Sequence, residues 1–173
     1  MQSYFILGNI FSLVAAICLA VSVFKKTTKS LLLWQVIEVV FCILSNIALV
    51  TYSALATNSI ALVRDVLAYK NKLTQNATFV LMVTCIIAGL MANNRGAIGI
   101  FPMMASLVYT LFLYATRNEQ QIRFALIINL MLWFVHDFYV GAYPSAVMDI
   151  GLSAWTLFNI WKNYKVKLAT PHK

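Results

Sequence analysis

The sequence predicts an all-α integral membrane protein, with seven transmembrane helices arranged as two parallel three-helix repeats joined by an inverting linker helix (3+1+3). Three observations predict it. The 173-residue chain is 62% hydrophobic and only 10% charged, with a mean hydropathy of +0.82, whereas a soluble chain is about a quarter charged. Apolar runs near the length of roughly 20 residues that a bilayer-crossing helix needs follow one another, separated by short turns. The basic residues gather at alternate ends of those runs.

The first span is expected over Tyr4–Phe24 and ends in Lys25, Lys26 and Lys29. It lacks a basic leader and a cleavage site, so it is expected to be a retained helix rather than a signal peptide. The second covers Leu31–Tyr52. A weakly polar turn, Ser53–Thr57, leads to the third, Asn58–Tyr69, whose start must be drawn back to about Leu55 if it is to cross. The fourth is Ala77–Ala92, followed by the turn Asn93, Asn94 and Arg95. The fifth, Ile98–Ala115, carries Pro102 near its start, where a missing N–H costs least. The sixth is Phe124–Tyr139. Gly141–Pro144 turns the chain into the seventh, Ser145–Trp161, and four lysines lie in the stretch Lys162–Lys173.

The charges test this count. Eleven basic residues (Lys25, Lys26, Lys29, Lys70, Lys72, Arg117, Arg123, Lys162, Lys165, Lys167 and Lys173) fall on one side of a seven-span chain, and only Arg95 on the other. Cytoplasmic loops collect Lys and Arg, which sets the N-terminus outside and the C-terminus in the cytoplasm. The same distribution places the net charge of +8 against lipid headgroups and speaks against nucleic acid. The bilayer is the expected partner, and a small polar solute and a second copy of the chain are the further candidates.

Cys18, Cys42 and Cys85 lie deep in apolar runs and are expected to be small buried hydrophobes, with no disulfide framework and no metal spacing. No zinc-hydrolase, phosphate-loop or nucleophile-elbow motif is present, so neither an enzyme nor a cofactor is expected.

Gly8 and Gly99 open the first span of each half, and basic clusters at Lys25–Lys29 and Arg117–Arg123 close it. This divides the chain into a first repeat at residues 1–72, a linker helix at 73–95, a second repeat at 96–163 and a basic cytoplasmic tail at 164–173. Parallel repeats related by an axis along the membrane normal are one of the transporter architectures, with a solute site between them near the midplane.

Ionisable side chains inside spans are costly and mark pathways or internal pairs. Six are present: Glu38, Arg64, Asp65, His136, Asp137 and Asp149. Glu38 shares a face with Trp34 and is either a solute ligand or a partner of Arg64. Arg64 and Asp65 are consecutive and are expected to face different partners. His136 and Asp137 point toward the outer side of the sixth span, with Asp149 on the seventh as a partner for His136. Asn58 supplies a further polar group, and Trp34 and Trp133 could stack on a planar ligand. The candidate substrate-binding set is therefore Trp34, Glu38, Asn58, Arg64, Asp65, Trp133, His136, Asp137 and Asp149. Each has a plainer role in helix packing. Asn46 and Asn129 are expected to be helix glue, and the tyrosines, Tyr109 among them, an interfacial belt.

Leu31–Lys70, with Trp34–Gln35, Asn58 and Arg64, resembles the first half of the bacterial inner-membrane YgjV-like proteins. Arg123–Ile160, with Arg123, Trp133, His136, Asp137, Gly141 and Ala146, resembles their closing half. The resemblance implies a multi-pass protein of the bacterial inner (cytoplasmic) membrane. Its 3+1+3 hydropathy is similar to that of the SWEET sugar transporters and the PnuC-type vitamin transporters. The chain lacks the SWEET prolines, holding only Pro102 and Pro144 near spans. The function expected is a small-solute membrane transporter with a polar cavity between the repeats. The alternative is a non-transporting accessory or assembly protein whose buried charges are structural.

Overall fold

A computed structural model describes residues 2–25, 27–115 and 119–169. Lys26, Arg117 and Lys173, counted above on the basic side, lie outside the described residues. The described chain forms seven α-helices: α1 (Gln2–Val23), α2 (Thr28–Ala48), α3 (Tyr52–Tyr69), α4 (Gln75–Met91), α5 (Ile100–Ala115), α6 (Glu119–Val140) and α7 (Tyr143–Ala169), with a 3₁₀ turn at Gly96–Gly99. Four stretches, Gln2–Val23, Lys29–Ala48, Gly96–Ala115 and Arg123–Val140, are long and apolar enough to cross a membrane, and Gln75–Met91 is apolar but shorter. In lipid the backbone must satisfy its own hydrogen bonds, which makes helices of Val- and Ile-rich runs that water would not favour. Where helices start, hydroxyls cap them: Thr27 Oγ1 accepts from the Ser30 N–H and Thr74 Oγ1 from the Ala77 N–H.

Six helices close a ring. α1 packs on α2, α2 on α3, α3 on α5, α5 on α6, α6 on α7, and α7 returns to α1. α4 lies against α3 and α5. Polar contacts hold both seams between the first three and the last three helices. Ser12 and Ser145 share a hydroxyl hydrogen bond of 2.7 Å between α1 and α7, and Arg64 Nη1 donates to Thr110 Oγ1 at 3.2 Å between α3 and α5. Small residues let α1 approach α2 closely, and Ser45 Oγ donates to the Gly8 carbonyl at 2.9 Å.

The interior is polar and the exterior apolar, the reverse of a water-soluble domain. Gln35, Asn46, Asn58, Arg64, Asp65, His136, Asp137 and Asp149 are buried, while Ile10, Ile17, Phe79, Met91, Val147 and Leu157 are exposed.

The expected second turn is corrected. α2 stops at Ala48 and α3 already begins at Tyr52, so Ser53–Thr57 is helical rather than a loop. Thr57 Oγ1 donates back to the Ser53 and Ala54 carbonyls, which satisfies its hydroxyl inside the helix. The turn itself is Leu49–Thr51, with Val50 left-handed at φ 56°, and the Thr51 N–H donates to the Asn46 carbonyl at 3.0 Å. The turn between α6 and α7 is built alike. Gly141 is left-handed at φ 84°, and the Ala142 N–H donates to the Asp137 carbonyl at 2.9 Å. Each left-handed residue stands two before the tyrosine that opens the next helix. α7 also runs on through Ala169, past the expected end at Trp161.

Candidate functional site

The ring encloses a cavity of about 90 Å³. Every helix of the ring contributes to its wall, and α4 does not. Helices α1 and α2 bring Ala15, Ala16, Leu19, Gln35, Glu38, Cys42 and Asn46; α3 brings Asn58, Arg64 and Asp65. From the other half come Ser106 and Tyr109 on α5, Asn129, Trp133 and Asp137 on α6, and Ser145 and Asp149 on α7. Seven of the nine side chains singled out in the sequence thus meet at one place: Glu38, Asn58, Arg64, Asp65, Trp133, Asp137 and Asp149. Trp34 and His136 are outside the wall. Trp34 carries the Lys25 ammonium 5.5 Å from its ring centroid. His136 is fully buried behind Asp137.

Several pairings differ from expectation. Arg64 and Asp65 pair with each other, Arg64 Nε donating to Asp65 Oδ1 at 2.8 Å. Consecutive helical residues point about 100° apart, but the long Arg side chain folds round to reach its neighbour. Its guanidinium also donates to Thr110 and stacks over Tyr109 at 5.1 Å. His136 Nδ1 likewise lies 2.9 Å from Asp137 Oδ1 rather than against Asp149, with Trp133 edge-on at 5.6 Å. Glu38 makes no salt bridge to Arg64. Cys42 Sγ donates to Glu38 Oε1 at 3.1 Å, so this thiol is a wall group rather than a simple hydrophobe. Asp149 is 4% exposed, and its Oδ2 is buried without a hydrogen-bond partner among the described residues.

Tyr109 was missed. It is buried on the cavity wall, not in a belt, and Gln35 Nε2 donates to its hydroxyl at 3.4 Å. Its one-turn spacing from Ser106, with Thr110 beside it, is the signal that marks α5 as a wall helix. Asn129 Nδ2 donates to the Ala105 carbonyl at 2.8 Å, so it joins α6 to α5 while also facing the cavity. Among the described residues, no group of three or more acidic, thiol or imidazole side chains is placed to hold a metal ion.

One spacing recurs around the wall. Ninety-one residues separate Ala15 from Ser106, Glu38 from Asn129, Cys42 from Trp133, Asn46 from Asp137, and Asn58 from Asp149. The same spacing separates Gly8 from Gly99, Val50 from Gly141, and Tyr52 from Tyr143. No curated protein and no solved structure matches the chain. Residues 6–167 match the model of Imp-YgjV, a bacterial inner membrane protein family, and with nearly its whole length covered the chain belongs to that family.

Proposed function

We propose that the chain is a multi-pass small-solute carrier in which two three-helix units, α1–α3 and α5–α7, rock about the central cavity, with α4 as the inverting linker. One observation carries the reading: a cavity walled by six helices, on which charged and amide side chains from both halves converge while the helices' outer surfaces are apolar. The 91-residue register of wall positions supports two equivalent units, an arrangement that places a solute site between repeats. α3 and α7 are too polar to qualify as spans by composition. Arg64, Asp65 and Asp149 turn to the cavity, however, while Val63, Val147, Ile150 and Leu157 face outward. That is how a polar helix crosses lipid. The basic residues favour an external N-terminus and a cytoplasmic C-terminus.

The test is counterflow in proteoliposomes across small sugars, vitamins, amines and carboxylates, with Asp149→Asn beside the native protein. The carrier reading expects one solute class to move and Asp149→Asn to abolish that movement while the folded protein stays in the membrane. Wild-type flux in the variant would sink the site. No flux, together with variants that only lower the amount of folded protein, would favour the accessory-protein alternative.

A further inference from the structure

The cavity wall has more acidic than basic side chains. Four carboxylates line it, Glu38, Asp65, Asp137 and Asp149, against the single guanidinium of Arg64. Two of the four have basic neighbours: Arg64 is 2.8 Å from Asp65, and His136 is 2.9 Å from Asp137. Glu38 and Asp149 have no basic group within ion-pair distance among the described residues. The remaining polar wall from α5 and α6, Ser106, Tyr109 and Asn129, carries no cation. α1 contributes only Ala15, Ala16 and Leu19.

The 91-residue register sharpens this point. Glu38 corresponds to Asn129, Asp137 to Asn46, and Asp149 to Asn58. At each of these three pairs one half carries an acid and the other an asparagine, which for Asp137 and Asp149 is the acid's own amide. The three pairs therefore hold one acid each, Glu38 in the first half and Asp137 and Asp149 in the second.

We propose that the cavity binds a small organic cation, of the alkylammonium class, between Glu38 and Asp149. This rests on the carrier reading above and names its substrate class. A carboxylate held in a dry interior needs a proton or a cation beside it. Asp149 is buried, faces the cavity, and offers Oδ2 with no hydrogen bond made. Trp133 adds an aromatic wall group, the surface that alkylammonium ions favour. Size narrows the class further. The cavity of about 90 Å³ is below the roughly 150 Å³ of a closed cavity that admits benzene, which makes a cation of a few heavy atoms the first probe to try. Among the described residues, no three acidic, thiol or imidazole side chains converge on a point as metal ligands.

The experiment uses full-length protein in lipid nanodiscs, with methylammonium as probe and methanol and acetate as the neutral and anionic controls. Methylammonium is expected to raise Tm in a dose-dependent way by linkage, and the controls to leave it unchanged. Asp149→Asn and Glu38→Gln should each weaken that response at least tenfold, while Lys72→Gln, a change at an exposed residue away from the cavity wall, should not. A response to methanol or acetate with none to methylammonium overturns the cation site and leaves the carrier reading standing. Methylammonium binding without flux in proteoliposomes upholds the site and overturns the carrier reading. Equal responses in native protein and both neutralised variants overturn the assignment to Glu38 and Asp149.

Discussion

Asn46 and Asp137 occupy the same place in two turns of one construction. Each offers its carbonyl to the backbone N–H five residues on, at 3.0 Å from Thr51 and 2.9 Å from Ala142, and each lines the cavity. The turns thus fix the depth at which the second and third helices of each half present polar groups. Arg95 reinforces the first turn, its Nη2 donating to the Leu49 carbonyl at 3.0 Å. Asn94 Nδ2 donates to the Val50 carbonyl at 2.8 Å. Arg95 therefore has a structural task at the end of α2.

The two turns differ at their left-handed residue. A β-branched Val at φ 56° bears a steric cost of about 1–2 kcal/mol that Gly avoids. Val50→Gly is expected to stabilise the protein by up to about 1 kcal/mol, once the added freedom of the unfolded chain is offset. Gly141→Val should destabilise it more strongly, since a Cβ there also comes within 2.7 Å of the Phe5 ring. Thermal unfolding of both variants checks this, and a lower Tm for Val50→Gly would remove the strain argument.

Breaking the Arg64–Asp65 pair leaves a buried charge alone, a change that costs roughly 3–5 kcal/mol in comparable sites. Arg64→Met should be the more damaging single change, because it also removes the contacts to Thr110 and Tyr109. The double variant Arg64→Met/Asp65→Asn should be more stable than the sum of the single losses by at least about 1 kcal/mol. Strict additivity in the double-mutant cycle would mean that the pair makes no net contribution.

Much of this was legible in the sequence, because periodic apolar runs and stranded charges are strong signals in lipid. The expectation is of seven transmembrane helices; seven helices form among the described residues, and four stretches are long and apolar enough to cross a membrane. Their boundaries slipped at Ser53–Thr57, since serine and threonine hydroxyls look like turn formers in a sequence but can bond back to helix carbonyls. The convergence of Glu38, Arg64, Asp65, Asp137 and Asp149 followed from the cost of burying charge. Who pairs with whom did not, because an Arg or His side chain reaches its sequence neighbour by rotamer choice, which periodicity does not encode. Tyr109 escaped notice because tyrosine is common at membrane interfaces, and only its contact with Gln35 and Arg64 reveals the other role.

The seam between α1 and α7 offers a lock for the proposed rocking. Ser12 Oγ and Ser145 Oγ are 2.7 Å apart, close enough for Ser12→Cys/Ser145→Cys to form a disulfide with little backbone movement. Oxidation should cross-link the two halves and stop counterflow, and a reductant should restore it. Cross-linking confirmed by mass spectrometry with flux undiminished would show that this seam stays closed throughout the cycle.

Equivalence of the two halves predicts that a carboxylate can change walls. Asn58 and Asp149 lie 91 residues apart, both line the cavity, and each is the seventh residue of a helix that opens with tyrosine. Asp149→Asn should weaken the methylammonium response at least tenfold. Asn58→Asp alone should lower stability, because it places a further carboxylate on the helix of Asp65. The double variant Asn58→Asp/Asp149→Asn restores the number of carboxylates and moves one of them to the matching site. It should regain methylammonium binding to within about tenfold of the native protein, a difference of about 1.4 kcal/mol. Titration by thermal shift and by calorimetry measures it. A double variant that binds no better than Asp149→Asn would break the equivalence of the halves, because the cation would then recognise one wall only.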